Sequence, residues 1–221
     1  MFVKILGKKV SEEISSAIES ILKDIKRPIN YYQTREVSYI ESSSDYHKIY
    51  LNLDISDKDF NVQLIHELLH AQQFEENYST IHFKNDTPEK VIRILSLVNN
   101  FILDLDVKLH QDSLVNIPSS GTSLKYQKYM EQMAKTHASK AKINSYVIRM
   151  LSVEIAYVYF IQNKEYANKM IKFSKNLSDK ITYKSELIIN RASSYTCPNK
   201  EMYDKLVYDL LSILNFNQYR L

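Results

Sequence analysis

Two histidines four residues apart, His66 and His70, with Glu67 directly after the first, are the residues of this chain whose types and spacing could do chemistry. On an α-helix, positions i and i+4 lie one above the other, so the two imidazoles can close on one metal ion. Glu67 then sits about 100° around the helix from His66. Zinc takes nitrogen, sulfur or carboxylate ligands in a tetrahedral set, and a catalytic site keeps one position for water. A carboxylate beside that water can take its proton as it attacks a carbonyl. The chemistry on offer is metal-assisted hydrolysis, with His66 and His70 as ligands and Glu67 as general base.

The segment around these residues is built to be a helix. Ser56 offers an N-cap, Asp57 and Asp59 suit the positive end of the helix dipole, and no Pro or Gly interrupts the chain from there to Glu76. Stepping 100° per residue from Phe60, the side chains of Leu64, Ile65, Leu68, Leu69 and Ala71 fall on one broad arc. His66 and His70 fall opposite it, at about 240° and 280°, with Glu67 at about 340° and Gln63 and Gln73 nearby. Such a helix buries one face and holds out the two imidazoles on the other.

The neighbouring elements follow from periodicity. Val10, Ile14, Ala17, Ile18, Ile21, Leu22 and Ile25 repeat at helical spacing over 9–26, and the helix must end before Pro28. From Asn30 to Ile55 the residues are β-prone and partly alternating, with a turn at Glu41–Asp45, which reads as a hairpin or two to three short strands. A helix starts at Thr87-Pro88-Glu89 and runs to about Gln111. A Ser-, Pro- and Gly-marked linker covers 114–123. Beyond it lie helical segments at about 124–141, 144–162, 164–176, 179–192 and 200–217. The expected fold is α+β and mostly α: a catalytic lobe over 1–113, with a small N-terminal sheet, followed by an all-helical lobe over 124–221.

Composition sets bounds on function. The chain has 221 residues, 44% hydrophobic and 25% charged, with a net charge of +3, a balance too mild to argue for nucleic acid. Its single cysteine, Cys197, has no disulfide partner within the chain and no neighbouring His or CxxC pair, so it is not expected to act as a nucleophile. Met1–Leu6 is too short for a signal peptide, and no apolar run approaches a membrane span, so a cytoplasmic location with no membrane association is the expectation. His47 and His137 read as ordinary surface histidines.

His66-Glu67-Leu68-Leu69-His70 spells HExxH and resembles the motif of the zinc-dependent peptidases called zincins. The resemblance implies a zinc ion, peptide-bond hydrolysis by a metal-activated water, a peptide or protein substrate, and a sheet running into the motif helix. The longer metzincin form is absent: Gln73 stands where its Gly would be and Glu76 where its third His would be. The third ligand is then expected on the following helix, as in gluzincins and aspzincins. There, Asn100, Asp104 and Val107 resemble the N-x-x-x-D-x-x-[VI] pattern of small prokaryotic and phage HExxH proteins, which makes Asp104 the ligand. Read from the residues alone, the choice is open. Arg93, Asn100, Asp104 and Gln111 form one polar stripe of that helix, and Asn99, Asp106 and His110 another. Asp106, His82, Glu76 and His110 stay in view as alternatives. Zincins often use a Tyr or His to stabilise the oxyanion, for which Tyr146, Tyr157, Tyr159 and Tyr166 are placed on helices. The resemblance also admits a second function class, an interaction or regulatory protein of the toxin–antitoxin or phage type, whose metal is structural or idle.

Overall fold

The computed structural model describes residues 4–114, 143–196, 199–219 and 221. The expected helix over 124–141, nearly all of the 114–123 linker, His137 and Cys197 lie outside them. The chain opens with a two-stranded antiparallel turn, β1 (Lys4–Ile5) and β2 (Lys8–Lys9), which periodicity did not signal. Helix α1 (Glu12–Asp24) follows, then β3 (Ile29–Thr34), β4 (Tyr39–Ser42) and β5 (His47–Asn52). Next come α2 (Asp57–Glu75) and the long α3 (Glu89–Leu114). The rest is helical: α4 (Ser145–Tyr157), a π-helical turn at Val158–Gln162, α5 (Lys164–Leu177), α6 (Asp179–Ser193) and α7 (Lys200–Ile213). The mostly α, α+β class with a small N-terminal sheet and a helical C-terminal half is what the sequence pattern indicates.

The sheet has the order β3-β5-β4. β4 and β5 form the expected hairpin, pairing Tyr39 with Tyr50 and Ser42 with His47. β3 instead runs parallel to β5, Ile29 opposite His47 and Thr34 opposite Asn52. The central strand alternates by the period of two. His47, Ile49 and Leu51 are buried, while Lys48, Tyr50 and Asn52 face the other side, where Tyr50 stacks between Tyr32 and Tyr39 at 5.2 and 4.4 Å.

The described chain divides into two compact units, each discontinuous in sequence: residues 1–78 with 107–120, and residues 79–106 with 121–221. Residues 79–106 group with the helical half. In the first unit the apolar arc of α2 is the core. Phe60, Leu64, Ile65 and Leu68 are fully buried among Ile14, Ile18 and Ile21 of α1, Ile49 and Leu51 of β5, and Val107 of α3. In the second unit Ile94, Leu95, Val98, Phe101 and Ile102 of α3 are buried, as are Val153 and Ile155 of α4, Ile181 and Ile188 of α6, and Tyr203, Val207 and Leu210 of α7. Polar caps set the helix starts: Asn144, Asn163, Ser178 and Asn199 each accept a backbone N–H from the first turn of α4, α5, α6 and α7. Among the described residues no helix is long and apolar enough to cross a membrane.

Candidate metal centre

Helix α2 positions the histidine pair. Ser56 caps it by accepting the N–H of Asp59 at 3.1 Å, as its sequence indicates. With Gln rather than Gly at position 73, the helix continues unbroken past His70 to Glu75. It stops where Asn77 takes a left-handed conformation (φ 54°) and the N–H of Tyr78 reaches back to the Gln73 carbonyl at 3.0 Å. That is the helix-ending arrangement in which Asn stands in for Gly.

The two imidazoles meet. His66 Nε2 and His70 Nε2 are 3.2 Å apart, with the rings edge to face at 86°. Two metal–nitrogen bonds of about 2.0–2.1 Å at the tetrahedral angle place their nitrogens about 3.3–3.4 Å apart, so the pair is spaced as one zinc would require. His70 is also fixed in tautomer. Its Nδ1–H donates to Oε1 of Gln73 at 2.9 Å, which leaves the lone pair on Nε2, the nitrogen that faces His66. Gln73 is itself buried. This carboxamide is the partner that sequence reading placed nearby without a role. Its signal was the i, i+3 spacing from His70, which puts the two side chains on one helix face. Glu67 is only 4% exposed on the same helix, a placement that shields a base from bulk water.

The other candidate ligands separate by environment. Glu76 is exposed at the C-cap of α2, and its carboxylate accepts from Gln72 at 3.0 Å. His110 and the two aspartates lie on α3, and exposed His82 lies in the segment before it. Within the second unit, Asp104 is half-buried and its Oδ2 accepts the phenol proton of Tyr157 at 2.7 Å. Asp106, two residues on and fully buried, accepts the hydroxyl of buried Tyr195. Tyr157 is thus a carboxylate's partner, held at the junction of α4 and the π-helical turn, with its ring 6.3 Å from Phe101.

His47 requires correction. It is not a surface histidine but is fully buried at the start of β5, its Nδ1 2.7 Å from Ser42 Oγ and its Nε2 3.2 Å from Glu75 Oε1. The same Glu75 oxygen accepts the backbone N–H of Arg27 at 2.9 Å and its Nε–H at 3.0 Å. Arg27 further donates to the carbonyls of Ser43 and Phe74, at 2.5 and 2.9 Å. Burial pushes the Glu75 carboxyl up, but the hydrogen bonds from Arg27 and His47 outweigh it and hold the group at about 2. This clamp ties the sheet to the last turn of α2, beginning four residues after His70.

Compared with protein-family models, with curated proteins and with solved structures, the chain matches none.

Proposed function

We propose that the protein is a zinc-dependent peptidase whose metal is held by His66, His70 and Asp104, with Glu67 as its general base. The observation that carries this reading is the His66–His70 nitrogen pair, 3.2 Å apart, with Gln73 on Nδ1 of His70 and with Glu67, beside His66 on the same helix, buried. His66, His70 and Asp104 are a group that could hold a metal ion. Helix periodicity supports Asp104 as the third member. It precedes Val107 and Gln111 by three and seven positions on one face of α3, and those two serve the α2 side of the first unit: Val107 in its core, Gln111 donating to the Val62 carbonyl at 3.3 Å. Asp106 points around the helix to Tyr195 and is consumed in packing.

Zinc, when bound, supplies a Lewis acid that polarises the scissile carbonyl and makes water acidic enough to attack at neutral pH. The chain's own residues do the rest. Gln73 keeps the proton on Nδ1 of His70. Tyr157 orients the Asp104 carboxylate through Oδ2. Glu67 takes the proton from the attacking water and delivers it to the departing amine.

The test is metal content and cleavage together. The wild type is expected to hold about one zinc per chain and to cleave peptides. Glu67→Gln should keep the zinc and lose hydrolysis by about 10²–10⁴-fold, because the amide matches the carboxylate in size but accepts no proton. Near-parental cleavage by that variant sinks the mechanism. Zinc binding without any cleavage by the wild type would favour an interaction protein with an idle metal.

A further inference from the structure

We infer that the cavity between the extended segment Thr80–Phe83 and one face of α3 is the subsite that seats a large neutral side chain of the substrate, next to the scissile bond; this rests on the peptidase reading above. The cavity has a volume of about 290 Å³. That is just below the range of sites that hold a whole small molecule, and it suits one amino-acid side chain up to an aromatic ring. Its floor is apolar, made by buried Ile81 and Leu95, with half-exposed Phe83 as a lip. Its polar rim is Ser96, Asn99 and Asn100 from α3.

The walls are fixed in place. Asn99 Oδ1 accepts the N–H of Ile81 at 3.3 Å, and Tyr203 donates its hydroxyl to the Ser79 carbonyl at 3.0 Å. No Asp, Glu, Lys or Arg lines the cavity, and His82 is its one titratable member. A charged side chain seated on Ile81 and Leu95 would be desolvated without a counterion and so disfavoured. Leu, Met, Phe or Tyr would be favoured there by burial of their apolar surface.

The location decides what the cavity serves. Asn100 precedes Asp104 by one turn of α3, about 6 Å along the helix. An extended peptide advances about 3.3 Å per residue. With Asp104 a metal ligand, the seated side chain belongs to a residue within about two positions of the cut.

The zinc-loaded full-length protein is incubated with a randomised peptide mixture, and the cut sites are read by mass spectrometry. The wild type should favour Leu, Met, Phe or Tyr at one fixed position within two residues of the cut. Ser96 is exposed, so Ser96→Trp can fill the cavity without disturbing a core. It should lower kcat/KM for a Phe-containing peptide at least tenfold more than for its Ala counterpart, at unchanged zinc content and melting temperature. Ser96→Asp should shift the preference toward Lys and Arg. Preferences that ignore both substitutions overturn the subsite alone. Absence of any cleavage by the zinc-loaded wild type overturns the peptidase reading, and the subsite with it.

Discussion

Two aspartates two residues apart on α3 have different work, and substitution separates them. On the proposed metal site, Asp104→Ala should lower zinc affinity sharply, since it would leave a two-histidine site open to chelators. Asp106→Ala should instead remove a buried hydrogen bond to Tyr195 and cost about 1–3 kcal/mol of stability with little loss of zinc. Chelator titration with residual zinc as the readout, beside thermal melts, distinguishes the two; the opposite pattern would move the ligand to Asp106. Gln73→Leu removes the acceptor that holds the His70 proton on Nδ1. Metal affinity should fall about 10–100-fold while the fold survives, because the partner of a ligating histidine fixes its ring without carrying the fold. His66, Glu67 and His70 were legible because the motif's spacing on a helix is local. The partners Gln73, Tyr157 and Tyr195 were not. Their roles depend on rotamers and, for the tyrosines, on contacts 53 and 89 residues away in sequence, which periodicity does not encode.

At the level of elements, helical periodicity located α1, α2, α3 and the four later helices to within a few residues, because each has an apolar stripe and most start at a polar cap. The sheet was harder. Alternation along β5 marks a half-buried strand, but nothing local tells whether its neighbour runs parallel, and β3 does. His47 was misjudged for the same reason. Polar residues at a strand start read as exposed unless the distant Glu75 and Arg27 are known to meet them. The Arg27–Glu75–His47 clamp has its own pH signature. With its folded pKa held at about 2 against an ordinary 4.5, Glu75 contributes stability that is present above about pH 4.5 and lost as pH falls toward 2. Arg27→Met should weaken the clamp, raise the midpoint of acid unfolding and loosen the end of α2. Circular dichroism over pH 2–6 measures the shift, and an unmoved midpoint would show that the clamp contributes nothing.

For the molecule as a whole, one internal liability among the described residues is Glu154. It is buried on α4, its Oε2 has no hydrogen-bond partner, and desolvation pushes its carboxyl up to about 7. The folded state therefore keeps the proton that the unfolded chain releases near 4.5. Below that pH the group costs nothing through ionisation; between about 4.5 and 7 stability declines as pH rises. Above 7 a loss of about 3 kcal/mol persists. Glu154→Gln should flatten that decline, so urea unfolding at pH 5 and pH 8 should differ less in the variant than in the wild type. An equal difference in both would place the pH dependence elsewhere.

Helix α3 enters this chain's history as well as its chemistry. The core of the first unit closes only on Val107, which follows the 79–106 stretch that belongs to the other unit. A nascent chain emerging from the ribosome cannot complete the compartment around the His66–His70 helix when its first 78 residues are out. It must wait, with the Leu64–Leu68 face uncovered at one spot, until 107 has cleared the exit tunnel. By then the first strip of the second unit has already been made and is awaiting helices still untranslated. Synthesis thus delivers the segments of the two units in alternation.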